Sequence, residues 1–232
     1  MNAGLWVYLS ASPLLWLTGT LAAWALAQRV FEWGGKNPLL NPVLLCMLMI
    51  VPVLKLSGID YQTYFNGAQF IHFLLGPATV ALGIPLYQRL PTVRANLGPM
   101  LVALAVGSVA AIGSTLLIGR MLGLPPLVIA SIAPKSATTA VAMAISSSLH
   151  GDPGLTAAVV IVTGICGSII VTPLMNAMRV RDYSARGFAV GLASHGIGTA
   201  RAFAVNADAG LFAGLGMGLN AAMTALIIHL MI

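Results

Sequence analysis

The sequence predicts an all-α membrane protein of about seven transmembrane helices plus a re-entrant hairpin, and three observations carry that prediction. First, 59% of the 232 residues are hydrophobic and 7% are charged, with a mean hydropathy of +0.95; a soluble domain carries roughly a quarter charged residues. Second, the apolar sequence comes in runs of about 20 residues, the length that crosses a bilayer as a helix. Third, some of those runs are interrupted midway by Gly, Pro, Lys and His, the pattern of discontinuous helices and inverted repeats.

The first span is expected over about Leu5–Gln28, and all 4 Trp of the chain fall by residue 33, which suits a peripheral, lipid-facing helix. Ala25-Leu26-Ala27 resembles a signal-cleavage site, but the apolar run before it is too long for one, so an uncleaved span is expected. A second span covers about Leu39–Leu56, opened by Asn41-Pro42 and closed by Lys55, which snorkels to the interface. An amphipathic stretch then runs to Leu75, is interrupted by Gly76-Pro77, and continues over Ala78–Leu86. Further spans are expected over Leu97–Ile118, Leu155–Ala177 and Leu211–Met231. Between them, Pro134-Lys135-Ser136 breaks the stretch 125–149, and His195-Gly196-Ile197-Gly198 breaks the stretch 187–205. The chain thus reads as one transmembrane domain over 1–232. It has a peripheral helix and loop at 1–37, a repeat-like half at 38–120 broken near 76–77, and a second half at 121–232 broken near 134–136 and 195–198.

Basic residues set orientation. If every segment crossed once, the Arg89/Arg94 and Arg179/Arg181/Arg186 loops would fall on opposite sides, against the positive-inside tendency. Making 125–149 a re-entrant hairpin restores agreement; it puts 179–186 inside, the Asp208 loop outside and the C-terminus inside. Ala78-Thr79-Val80-Ala81 and Ala137-Thr138-Thr139-Ala140 match at three of four positions, in keeping with an inverted repeat.

All 5 acids (Glu32, Asp60, Asp152, Asp182 and Asp208) fall in predicted loops, whereas Lys135 and Arg201 sit at or near breaks in apolar sequence. An intramembrane charge costs several kcal/mol and marks a functional site by default. With no intramembrane acid to pair it, an anionic ligand is the natural counter-charge. Half-helices starting after Pro77, Ser136 and Gly198 would point partial positive ends at it, and Arg and Lys would supply a fork and a point charge. The expected carboxylate site comprises Lys135, Ser136, Thr138, Thr139, Ser194, His195, Gly198, Thr199 and Arg201, with Gly76, Pro77 and Thr79 at the first break. His195 could couple a proton near neutral pH or serve as a hydrogen-bonding strut. Arg201 could alternatively snorkel to an interface. His72 and His229 are weaker candidates. Gly187/Gly191 and Gly210/Gly214/Gly218 repeat every fourth residue, which lets helices approach closely.

Other classes are disfavoured. The net charge of +6 lies in short loops beside spans, which fits membrane orientation and not nucleic acid. Cys46 and Cys166 lie in apolar runs without a CxxC or Cys/His cluster, as buried unpaired thiols rather than a metal site. No GxSxG, HExxH or phosphate loop occurs, so neither an enzyme nor a cofactor is expected.

At these residues the chain resembles the LrgB/CidB family of bacterial membrane proteins, which includes the YohK-type inner-membrane proteins. The resemblance rests on Pro38-Leu39-Leu40-Asn41-Pro42, Gly76-Pro77-Ala78-Thr79-Val80-Ala81-Leu82 with Pro85-Leu86-Tyr87, Pro134-Lys135-Ser136-Ala137-Thr138-Thr139, and the run from Ala185-Arg186-Gly187 through Ala193-Ser194-His195-Gly196-Ile197-Gly198-Thr199-Ala200-Arg201-Ala202. It departs at Ala140, where relatives commonly have Pro, and at 203–209, where they tend to have more acids. It implies a bacterial inner-membrane location and one of two functions. One is transport of small monocarboxylates such as glycolate, glycerate or pyruvate, as in the matching half of the plastid glycolate/glycerate translocator. The other is holin/antiholin-like modulation of murein hydrolase export and lysis. It also implies a small LrgA-type membrane partner, alongside the lipid bilayer and a homo-oligomer as further expected associations. Transport by alternating access around a midplane anion site is the leading expectation, with His195 the residue that would carry a proton if transport is coupled to one. A cation antiporter is a third reading, disfavoured by the lack of intramembrane acids.

Overall fold

In hydrocarbon a chain must satisfy its own backbone, and the computed structural model, which describes residues 12–81 and 83–231, is helical with no strand among them. The helices are α1 (Pro13–Trp33), α2 (Pro42–Ser57), α3 (Tyr61–Phe73), α4 (Leu75–Ala81), α5 (Gly83–Gln88), α6 (Leu90–Ala95), α7 (Leu97–Met121), α8 (Pro126–Ile132), α9 (Thr139–Ser148), α10 (Pro153–Ala177), α11 (Tyr183–Val205) and α12 (Ala207–Met231). Among the described residues 4 helices are long and apolar enough to cross a membrane: α1, α7, α10 and α12. About seven were expected. The difference lies in α2, which is apolar but has only 16 residues, in the stretch 61–88, which is divided into α3, α4 and α5, and in α11, which leaves helical geometry at Ser194-His195. The expected first span lies partly outside the described residues.

Asx side chains start many of these helices. Asn41, Asp60, Asp152, Asp182 and Asn206 each accept backbone N–H bonds from the residues two or three further on. That satisfies orphan donors and, at the three aspartates, sets a negative group at the positive helix end. Three of the loop aspartates, Asp60, Asp152 and Asp182, are thereby accounted for as caps. At exposed Asp60, the Thr63 hydroxyl and the Gln62 N–H hold the carboxyl below its ordinary range.

The chain forms two compact units, Met1–Ile84 and Pro85–Ile232. In the first, α1 packs on α2 and α3. Trp16 meets Tyr64 edge-on at 5.9 Å, and Gly67 lets α3 approach the backbone of α1, since a Cβ there would stand 2.2 Å from the Pro13 carbonyl oxygen. The interruption expected at Gly76-Pro77 falls earlier, at Leu74. Gly76 and Pro77 occupy the first turn of α4, where proline loses no bond.

In the second unit, α7, α10 and α12 have 25 residues each, and the chain doubles back twice beside them. After α8 and the turn 133–138, α9 returns. Ser131 Oγ accepts from the Asp152 N–H at 2.7 Å, the Ser131 carbonyl accepts from Thr156 Oγ1 at 2.8 Å, and Pro126 and Leu149 line one cavity beside Arg120. The second reversal lies inside α11, where Ser194 (φ −132°, ψ 15°) and His195 (φ 41°, ψ −135°) leave helical geometry. A Cβ on Gly198 would lie 2.9 Å from the Val190 carbonyl oxygen, and Arg201, Ala202 and Val205 return beside Tyr183, Arg186 and Gly187. The reversal thus falls on Ser194-His195, at the leading edge of the stretch 195–198 expected to break the helix. It also corrects the placement of the Asp208 loop. Because α11 does not run straight through, Asp208 comes back to the end that carries Arg186 and pairs with Arg89 at 3.3 Å.

Packing follows this path. Val93, Met100, Leu104, Phe188, Leu192, Leu211 and Phe212 form one buried cluster. Ile112, Ala133, Ile145 and Ile228 form another, further along α7 and α12. Gly187 and Gly191 face the carbonyls of Ala209 and Ala213 on α12, and Gly210 faces Phe203, so these three glycines serve packing within the unit, whereas Gly218 has nothing within 4 Å. Cys166, expected to be buried, is exposed on α10, and Cys46 is half-buried.

Candidate functional site

Each reversal frees backbone carbonyls that a continuous helix would have used, and buried carbonyls need partners. Both turns find one in the same side chain. Asn220, fully buried midway along α12, donates from Nδ2 to the Ser136 carbonyl in the first turn and to the Leu192 carbonyl beside the second, each at 3.0 Å. Its Oδ1 accepts from Ser108 Oγ of α7 at 2.8 Å. Both amide protons and the amide oxygen are used, so one residue ties the two hairpin tips to α7 and α12. Sequence reading did not single it out. The available signal was a lone carboxamide in an apolar helix, where an unpartnered one would cost several kcal/mol.

The expected site residues gather around these tips in two groups. In the first turn Ser136 is buried and Lys135 half-buried; Lys135 Nζ donates to Thr115 Oγ1 of α7, which itself donates to the Ala111 carbonyl. Thr138 is the N-cap residue of α9 with an extended backbone, and Thr139 begins that helix. At the second tip Ser194 and His195 are buried against α10, where Gly164 and Gly167 leave room: a Cβ at 164 would lie 2.6 Å from the imidazole, and one at 167 would lie 1.7 Å from Ser194 Oγ. His195 Nε2 is 2.9 Å from the Val160 carbonyl. A carbonyl can only accept, so that nitrogen carries the proton and the ring braces α10. Thr199 Oγ1 donates to the His195 carbonyl at 2.8 Å, and Gly198 fits against Val190.

Arg201 stands apart from Lys135. It lines a small cavity of about 30 Å³ with Thr172, Tyr183, Arg186 and Val190, near the root of the second hairpin. Arg186 donates there to Asn176 Oδ1 at 2.7 Å and to the Thr172 carbonyl. Lys135 and the hydroxyls thus belong to the tips, while two arginines share the root. Gly76 and Pro77 are exposed in the first unit, and the side chain of Thr79 lies outside the described residues.

Comparison with known proteins decides the family. The LrgB-like family matches residues 20–232. The chain belongs to the LrgB family. Among relatives of this LrgB-family protein, the holin-like protein CidB of Staphylococcus aureus is 31% identical over 219 residues, covering 94% of this chain and 95% of the relative. CidB of Staphylococcus epidermidis is 32% identical over 225 residues, 97% of each. The uncharacterised protein YwbG of Bacillus subtilis is 36% identical over 184 residues, 79% of this chain and 82% of the relative. No solved structure matches. Two of the motifs that carried the resemblance fall on the site: Pro134–Thr139 forms the first tip, and Ala193–Ala202 the second tip and its returning arm.

Proposed function

We propose that this LrgB-family protein transports small monocarboxylates, such as glycolate, glycerate or pyruvate, by alternating access around an anion site in the second unit. The observation that carries the reading is the pair of helical hairpins whose tips are held by one amide, with Lys135 on the first tip. Seven and ten residues give helices of only about 10 and 15 Å, against a hydrocarbon core of about 30 Å. The hairpin α8–α9 is therefore read as re-entrant, and α11 as a second one from the opposite face. Both then end near the midplane, where discontinuous helices of secondary transporters bind their substrates. In this reading Lys135 holds the carboxylate, the hydroxyls of Ser136, Thr138, Thr139, Ser194 and Thr199 orient it, and Arg201 with Arg186 draws anions to the root of the second hairpin. His195 is the candidate for proton coupling. Gly198 lets the returning arm close, and Gly76, Pro77 and Thr79 belong to this proposal through the repeat alone.

Arg89, Arg94, Arg179, Arg181 and Arg186 belong to the end of the second unit that also holds Asp208. The positive-inside tendency puts that end in the cytoplasm, in a multi-pass protein of the bacterial inner membrane. Cysteines replacing Arg181 and His150 are then expected to react with a membrane-impermeant maleimide from the cytoplasmic and outer faces, respectively. Labelling of both from one face would overturn the topology.

The second reading, a holin-like modulator of murein hydrolase export and lysis, is supported by the relatives that bear the holin-like name. That name favours it over carboxylate transport. Flux into reconstituted vesicles separates the two. Transport predicts saturable uptake of labelled glycolate or pyruvate that falls at least tenfold with Lys135→Ala and with Arg201→Ala. Non-saturable leakage of unrelated solutes, indifferent to both substitutions, would establish the holin-like reading instead. An LrgA-type partner and self-association are testable in the same membranes by co-purification.

A further inference from the structure

A cavity of about 490 Å³ opens between α7, the outgoing arm of α11 and α12. Asn96 and Asp182 lie at its rim, Ala103 and Ala189 on its walls, and Gly107 and Leu192 at its inner end. Its rim belongs to the arginine-bearing end of the unit: Arg94 lies two residues before Asn96, whereas Arg186, one turn beyond Asp182, turns the other way, to Thr172 and Asn176 of α10. Its inner end borders the amide node. Gly107 adjoins Ser108, and the Leu192 carbonyl takes one of the Asn220 bonds. The Leu192 side chain packs over Gly107, its methyl carbons 3.0 and 3.1 Å from where a Cβ at 107 would stand. Beyond it, Ser108 and Asn220 are fully buried. An apolar side chain closing an otherwise open cavity bars water and ions by dewetting the constriction. A glycine opposite lets that side chain change rotamer without displacing backbone.

We propose that this cavity is the cytoplasmic access vestibule for small organic anions, and that Leu192 is the plug separating it from the hairpin tips. The proposal rests on the reading that solute passes through the second unit. It deepens that reading by naming the route and the residue that closes it. The excess of arginines at that end of the unit draws anions toward the mouth, where Asp182 is the one charged residue of the lining, and the apolar walls favour a compact solute with a short hydrocarbon body.

The test is thiol accessibility in membrane vesicles of known orientation, with Cys46 and Cys166 replaced by alanine and an anionic methanethiosulfonate as the probe. Ala103→Cys and Ala189→Cys are expected to react from the cytoplasmic face at least tenfold faster than Val102→Cys, which lies 65% exposed on the outer side of α7. Ser108→Cys is expected to stay unreactive until Leu192→Ala is added, and then to react at least tenfold faster. Leu192→Val should act in the same direction more weakly; should the alanine variant fail to fold, it and the two wall positions decide. Wall cysteines that react no faster than Val102→Cys would make the cavity a lipid-filled groove. A Ser108→Cys rate indifferent to both Leu192 variants would remove the plug. Because the rates need no substrate, they remain readable if carboxylate uptake fails, and uptake can persist if the vestibule proves wrong.

Discussion

Replacing Asn220 by leucine is expected to loosen both hairpin tips at once and to lower stability by roughly 2–5 kcal/mol. Leucine fills a similar volume, so packing changes little, but three partners lose their bond together: the Ser136 and Leu192 carbonyls and the Ser108 hydroxyl. A buried polar group left unpaired costs about 1–3 kcal/mol. Hydrogen bonds between membrane helices average nearer 0.6 kcal/mol, which sets the lower bound. Asn220→Asp separates shape from bonding. It keeps the outline of the amide, but a carboxylate has no proton for either carbonyl and a protonated carboxyl has one for the two, so it should be destabilised as well. The measurement is the temperature at which half the detergent-purified protein is lost from the monodisperse peak on size-exclusion. An unchanged midpoint in both variants would mean that the tips do not depend on this amide. Uptake, where it is measured, should fall by at least tenfold in step.

Gly191→Ala is expected to be at least as damaging, by a different route. A Cβ at 191 would sit 1.9 Å from the Ala213 carbonyl oxygen, and one at 187 would sit 2.0 Å from that of Ala209. The obstacle in both cases is helix backbone, which cannot rotate aside as a side chain can. Overpacking commonly costs about 1–3 kcal/mol; with backbone on both sides we expect about 3 kcal/mol or more, seen as loss of monodisperse protein. Gly218→Ala is the internal control. Nothing lies within 4 Å of the added carbon, and alanine is the better helix former by up to about 1 kcal/mol, so that variant should be neutral or slightly more stable. Equal behaviour of the two alanine variants would contradict the close approach of α11 to α12.

Much of this architecture was legible in the sequence because hydropathy and helix breakers report directly on span and interruption. Leu97–Ile118, Leu155–Ala177 and Leu211–Met231 foreshadow α7, α10 and α12, and Pro134-Lys135-Ser136 foreshadows the first turn. The motifs around Lys135 and His195 also led to the family. The reversal at Ser194-His195 was not legible as such. The two glycines that follow are the conspicuous breakers, yet the residue at positive φ is a histidine, held there by its bond to Val160 and by space at Gly164. Nor could composition place Arg201 with Arg186 and away from Lys135. That follows from the returning arm of α11, a tertiary outcome of the same reversal. Asn220 was missed because attention to charge passes over a neutral amide, although hydrocarbon penalises an unpaired one for the same reason.

The position of Asn220 along the chain has a consequence for biogenesis. Both hairpins leave the ribosome before α12, which carries the donor for their tips. Until α12 is made, the half-helices are too short to be held as independent insertions, and their turn carbonyls lack the amide that later binds them. At about 5–20 residues per second, the α12 segment follows the end of α11 by a second or more. During that interval α7 and α10 can already span the bilayer while the stretches between them wait at its faces. Insertion of this protein should therefore be staged: the long helices enter first, and the two hairpins are drawn in together by the arrival of a single late residue.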